Sequence, residues 1–229
     1  MKYNAVIFDL FGTLVDNFSS QKLKSTLVNM ASIISAPPDD FVQMWLDTFD
    51  QRATGFFRTT QDNIEYICRK LGVPIENTQI ESATDVRYQF TERCLTPRTD
   101  AIRVLSYLKS KGYKTALISD CSAETPIAWK DTPFTPLIEV TVFSCLVGLR
   151  KPDLRIYLMA TDQLAVEPRT CLYIGDGSSR ELTGASQAGM YPVLICVPYE
   201  HNTDTYRIDR EEWDGPVISS LKEVLDLIK

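Results

Sequence analysis

A single histidine, His201, stands in the 229 residues of this chain, and it lies in a polar stretch. That scarcity excludes histidine-rich zinc sites and argues against a Ser-His-Asp triad. Acid–base chemistry must then come from carboxylates, lysine, tyrosine or water. No C-x-x-C pair occurs among the six cysteines (Cys68, Cys94, Cys121, Cys145, Cys171, Cys196). Their wide spacing and frequent apolar neighbours read as reduced thiols acting as small hydrophobes. Nothing approaches eighteen consecutive apolar residues, so no membrane span is expected. Basic residues do not exceed acidic ones (24 against 30, net charge −6), which makes nucleic acid and anionic membranes poor partners. A small anionic substrate stays allowed, because local charge governs a site. The first apolar run begins at Ala5, leaving no room for an export leader, so a cytoplasmic protein is expected. There is no internal repeat and no low-complexity tract.

What is present is ordinary globular composition, 44% hydrophobic and 24% charged, enough for one large domain or a core with a smaller insert. Buried strands are predicted at Ala5–Phe8, Thr115–Ser119, Glu139–Ser144, Cys171–Ile174 and Val193–Val197, with a short edge strand at Val217–Ile218. Helical spacing falls between them, at Asp100–Lys111, Asp153–Leu164, Arg180–Ala188 and Ser220–Lys229. Strands alternating with helices specify βαβ units, hence an α/β fold with a parallel, Rossmann-like sheet. Residues 17–93 break that rhythm. Leu23/Leu27/Met30/Ile34, Phe41/Met44/Trp45/Phe49, Thr60–Leu71 and Ile80–Leu95 all keep helical periodicity, punctuated by Pro37-Pro38, Gly55 and Gly72. The expected layout is a core of residues 1–16 and 94–229, with residues 17–93 as an inserted all-helical cap closing over the sheet's active edge.

The chemistry gathers at strand ends. Ala5-Val6-Ile7-Phe8 stops at Asp9 and turns through Leu10-Phe11-Gly12-Thr13-Leu14, which delivers a carboxylate to the carboxyl edge where open sheets bind ligands. Ser119-Asp120 follows the next strand, Lys151 sits in Arg150-Lys151-Pro152-Asp153, and Asp176 sits in Gly175-Asp176-Gly177 with Glu181 at a helix start. Each alone is equally a turn former or helix cap. Four at successive strand ends make one crevice the better reading.

Those four segments, D-x-F-G-T-L, the strand ending in Ser, R-K-P-D-x-x-I-Y and G-D-G-x-x-x-E-L-x-G-A, resemble the haloacid-dehalogenase-like hydrolase superfamily over nearly the whole chain. The resemblance implies Asp9 as nucleophile with Thr13 supporting its turn, and Ser119 hydrogen-bonding the transferring group. It implies Lys151 neutralising charge, and Mg²⁺ held by Asp9, the Phe11 carbonyl and Asp176. The implied activity is hydrolysis of a small phosphorylated metabolite through an aspartyl phosphate. Three carboxylates meant to meet an anion call for such a cation beside Lys151.

Two departures qualify that expectation. Phe11 stands where most phosphatases of the superfamily carry an Asp that serves as acid and base. Glu181 is one methylene longer than the Asp more usual there. The 2-haloacid dehalogenases similarly place an aromatic at the Phe11 position, and halide leaves without a proton. A metal-independent dehalogenase-type hydrolase, also suited by Tyr157, is therefore the alternative, and a non-catalytic ligand-binding member the third reading. Asp176 and Glu181 favour magnesium and phosphate. In the insert, Arg52, Arg58, Arg87 and Arg93 are candidates for the substrate's remote end, although solvated helix faces are the default for each. Phe56-Phe57 reads as core or as crevice wall. Asp16 is expected to fix the linker to the insert, and Asp120 to pair with Lys151.

Overall fold

Each strand of the core ends at the same edge of one sheet, which sets where chemistry can occur. In the computed structural model, which describes residues 2–200 and 205–229, β1 (Ala5–Phe8), β2 (Lys114–Ser119), β3 (Val140–Phe143), β4 (Cys171–Gly175), β5 (Tyr191–Ile195) and β6 (Val217–Ile218) form that sheet. The order is β3-β2-β1-β4-β5-β6 and every pairing is parallel. The chain winds outward from β1 to β3, then crosses back to β4. Ligands in doubly wound folds bind outside the strand ends at that switch point, here between β1 and β4. His201 lies outside the described residues.

Period-two alternation sends side chains to two cores. Val6, Phe8, Leu117, Leu172 and Ile174 face one side with α6 (Ala101–Ser110) and the C-terminal α11 (Val224–Leu227). Ala5, Ile7, Ala116, Ile118 and Tyr173 face the other, under α9 (Leu154–Leu164) and α10 (Glu181–Gln187). Both faces are covered, so the strands read as continuous apolar runs.

The segment between β1 and α6 is helical throughout: α1 (Ser20–Ile33), α2 (Pro38–Asp47), α3 (Phe49–Ala53), α4 (Thr60–Leu71) and α5 (Asn77–Cys94). Its boundaries follow local signals. Ser19 accepts from the Lys22 amide ahead of α1, Thr59 and Asp62 close a capping box on α4, and left-handed Gly72 stops it. These helices bury a third apolar cluster containing Leu27, Phe41, Trp45, Ile64 and Phe90. They meet the core at α7 (Glu124–Trp129) and α8 (Ser144–Val147), two short helices that carry too few residues to show a period. Ser144, expected to close a strand, opens α8 instead. No helix among the described residues is long and apolar enough to cross a membrane.

Candidate active site

The turn after β1 fixes the first carboxylate. The Asp9 amide donates to the Ile174 carbonyl at 2.9 Å, and the amides of Thr13, Leu14 and Val15 all donate to the Leu10 carbonyl. Gly12 adopts φ +86°, and a Cβ there would come within 2.3 Å of Asn17 Nδ2 and 2.5 Å of Asp176 Oδ2. Glycine therefore lets the β1 turn close onto the β4 carboxylate.

Around that contact the structure assembles Asp9, Lys151, Asp176 and Glu181, all buried. Lys151 Nζ bridges Asp9 Oδ1 and Glu181 Oε2, at 2.6 Å each. Glu181 also accepts from Tyr173 OH at 2.8 Å and from the Gly177 amide at 3.0 Å. Asp176 accepts from the Ser178 amide at 3.0 Å, Asn17 Nδ2 at 2.8 Å and Arg207 Nε at 2.9 Å. Arg207 continues to Glu200, which Arg98 holds at 2.7 Å. Oxygens of Asp9, Asp176 and Glu181 all lie within 4.8 Å of one another.

Charge sets the protonation of this group. Burial first, with the Asp176 charge adding and Lys151 opposing, pushes Asp9 up to about 6. Burial and the neighbouring Asp9 raise Glu181 well above the usual carboxylate range. Burial alone would lower Lys151, yet Asp9 and Glu181 hold its ammonium well above the ordinary lysine value. The three carboxylates share Lys151 and Arg207, and Arg207 is itself shared with Glu200. Burial favours proton uptake by Asp9 and Glu181, and a hard dication would compete with those protons. The clustered donors are carboxylate oxygens, a set that suits Mg²⁺, and Arg207 and Asn17 already contact one Asp176 oxygen.

The remaining predicted residues fall nearby. Ser119 ends β2 with its hydroxyl buried and unpartnered, and the Thr13 hydroxyl is likewise buried and unpartnered. Both residues are fully buried, and neither is among those lining the crevice. The Phe11 ring lines the crevice and packs on Phe18 with centroids 4.5 Å apart. Asp120 reaches Lys151 through its backbone amide at 3.0 Å, and not through the ammonium. Asp16 accepts from Tyr199 OH at 2.6 Å beside Arg98. Tyr157 OH donates to the Glu181 carbonyl at 2.9 Å, steadying the helix start.

Sequence reasoning missed Asn17, Tyr173, Glu200 and Arg207. Tyr173 reads as one more core strand residue, and nothing local marks Arg207 as a partner of a carboxylate thirty-one positions away. Arg58 and Arg93 are exposed as the default reading holds, but Arg52 and Arg87 are buried. Phe57 is core and Phe56 is exposed.

A doubly wound sheet with a strand-end carboxylate, a lysine across from it and an acidic pair after the fourth strand defines a hydrolase-type crevice. The profile for haloacid dehalogenase-like hydrolases matches residues 3–189, and the chain belongs to that family of hydrolases. It is 29% identical over 196 residues to the (S)-2-haloacid dehalogenase H-109 of Pseudomonas putida, covering 82% of this chain and 83% of that one. It is 24% identical over 238 residues to the glyceraldehyde 3-phosphate phosphatase of Pyrococcus furiosus, covering 100% and 94%. Among solved structures, the HAD phosphatase of Thermococcus onnurineus superposes with a TM-score of 0.65 at 20% identity, covering 98% of this chain and 97% of that one. Relatives thus include both halide- and phosphate-releasing enzymes.

Proposed function

We propose that the protein is a Mg²⁺-dependent phosphatase acting on a small phosphorylated metabolite, with Asp9 as nucleophile and residues 17–93 as the cap. The single observation that carries this reading is the cluster of three buried carboxylates, Asp9, Asp176 and Glu181, whose oxygens lie within 4.8 Å of one another. A metal-free haloacid would bring a further carboxylate into that field.

Asp9, Asp176 and the Phe11 carbonyl would hold the ion, which when bound supplies charge neutralisation and polarisation of the phosphoryl oxygens. Asp9 then attacks phosphorus in line, forming an Asp9 Oδ–P bond as the P–O bond to the leaving group breaks. Lys151 holds the other face of the charge, and the free Ser119 hydroxyl donates to a transferring oxygen. Water attacks phosphorus in the second step and regenerates Asp9. The helices over the crevice exclude bulk water, with Phe18 on Phe11 and Phe90 on Phe18 at 5.6 Å.

Phe11 supplies no proton to the leaving group. Acyl and aryl phosphates, whose leaving groups need none, are the substrates this site serves best. The test is release of p-nitrophenol from p-nitrophenyl phosphate: turnover needs Mg²⁺ and is abolished by EDTA and by Asp9→Asn. Turnover that survives either treatment contradicts the proposal. Phe11, together with the Arg207 guanidinium already on Asp176, favours metal-free dehalogenation as the second reading.

A further inference from the structure

Next to the crevice, under the helical segment, lies a second cavity. Phe11, Phe18, Phe49, Asp120 and Tyr206 line both, so the two adjoin across a shared wall that includes the Phe11 ring. Beyond Phe11 the second cavity is walled by Trp45, Arg52, Arg87 and Ser122. Both guanidiniums are more than nine-tenths buried. They share one aromatic face, Arg52 at 4.6 Å and Arg87 at 5.7 Å from the Trp45 ring centre.

Their polar partners do not balance them. Arg52 donates to the Trp45 carbonyl at 2.5 Å, to Thr48 Oγ1 at 2.8 Å and to Ser122 Oγ at 3.3 Å, all neutral acceptors. Arg87 Nε pairs with Glu124 Oε1 at 2.6 Å, and Thr60 Oγ1 donates to the other oxygen at 3.2 Å. Among the described residues Glu124 is thus the one carboxylate in ion-pair contact with either arginine, and it contacts Arg87 alone. Asp120, on the shared wall, turns to the Lys151 amide and towards Arg150. Arg87 Nη1 is buried with no hydrogen-bond partner at all. Guanidinium does not relieve such strain by deprotonating under ordinary conditions, although burial and the Arg87 charge pull Arg52 down to about 9. Unpaired buried cation and orphan donor are each costly unless a ligand satisfies them.

We propose that Arg52 and Arg87 bind a second anionic group of the substrate, so that the natural substrate carries an anion at each end, joined by a short apolar or planar spacer lying against Phe11, Phe18 and Phe49. The substrate class deepens the phosphatase reading and rests on it for the identity of the reacting end. The distal anion, carboxylate or phosphate, takes Arg87 Nη1 and supplies the missing negative charge. The reacting end meets Asp9.

The test is calorimetric binding to the whole protein of two series. In the first, with Mg²⁺ present, ω-phosphonoalkanoates of increasing length are compared with alkylphosphonates of equal length, and α,ω-bisphosphonates separate a distal phosphate from a distal carboxylate. In the second, without metal, dicarboxylates are compared with monocarboxylates. The doubly charged member should bind at least about tenfold tighter at the fitting length, the scale of a charge-assisted hydrogen bond. Arg87→Met and Arg52→Met should each collapse that preference, and Arg87→Lys should retain part of it. Should Arg87→Met fail to fold with Glu124 stranded, the Arg87→Met/Glu124→Gln protein removes both charges and is measured instead. A preference seen only among dicarboxylates, and lost with Arg87, upholds this site while the phosphoryl reading falls. Phosphonates binding without preference leave the phosphoryl reading and overturn this one. A preference surviving both arginine substitutions, or no binding in either series, also overturns it.

Discussion

Two residues of the crevice, Lys151 and Phe11, each make a prediction. Lys151 joins Asp9 and Glu181 in one buried ion triad. Removing one partner of such a group costs roughly 3–5 kcal/mol, so Lys151→Met should lose about that much in urea denaturation at pH 8 in EDTA. The loss should shrink near pH 5, where Asp9 and Glu181 take up protons in place of the ammonium. Equal losses at both pH values would mean that the lysine acts by packing alone. Phe11 makes the kinetic prediction. General acid catalysis is typically worth about 10²–10⁴-fold, and Phe11→Asp restores a carboxyl at that position. Its kcat/KM should rise more for alkyl than for aryl phosphates, and equal or absent gains on both would oppose the proton-transfer argument. Asp9, Lys151, Asp176 and Glu181 were legible in the sequence because strand ends and a repeated turn grammar place them. Arg207, Asn17 and the burial of Arg52 and Arg87 were not, because a helical arginine looks the same in sequence whether its face meets water or a second domain.

The elements show the same division. β1 and α4 fall where periodicity and caps put them, since an apolar run ending in Asp9 and a Thr59/Asp62 box are local signals. β5 begins at Tyr191, two residues before the expected start at Val193, and includes Pro192. Proline is tolerated there because β6 pairs only from Leu194 onward, so the missing N–H has no ladder partner to lose. The expected helix from Arg180 starts at Glu181, after Ser179 and Arg180 both take left-handed φ (56° and 51°). That unwound turn lets the Ser178 amide reach Asp176 and the Gly177 amide reach Glu181. Docking of the helical segment hangs on close backbone contact: Gly55 has φ +71°, and a Cβ there would lie 2.2 Å from the Cys145 carbonyl oxygen. Gly55→Ala should therefore destabilise by about 1–3 kcal/mol and raise KM more than it lowers kcat, because α3 shifts against α8 while Asp9 stays in place. A stability change below a few tenths of a kcal/mol would show that this contact gives way freely.

At the scale of the whole molecule, one sheet edge gathers carboxylates from two strands and the helical segment adds arginines above them. Acidic net charge and a cationic distal cavity coexist because each is local. The carboxylates set the pH dependence of the metal-free protein. Asp9 binds its proton more tightly folded, at about 6, than the ordinary value of 3.8, and Glu181 shifts in the same direction. The Asp9 contribution is therefore fully present below about pH 4 and is lost as pH rises through 6, and that of Glu181 is lost in the same sense as pH rises. In EDTA, stability should fall across that window, and Asp9→Asn should flatten the fall. On the proposed reading Mg²⁺ would bind the ionised form, so its increment in Tm should be larger at pH 7.5 than at pH 5 and should vanish in Asp176→Asn. An increment independent of pH and of Asp176 would place the ion elsewhere.

The most direct measurement sets the two chemistries of the family side by side on one preparation. Acetyl phosphate with Mg²⁺ is compared with (S)-2-chloropropionate in EDTA, following phosphate and chloride release by wild-type protein and by Asp9→Asn. Phosphate release that requires both Mg²⁺ and Asp9, with no chloride released, is the predicted result. Chloride release in EDTA that depends on Asp9, without phosphate release, would contradict the account.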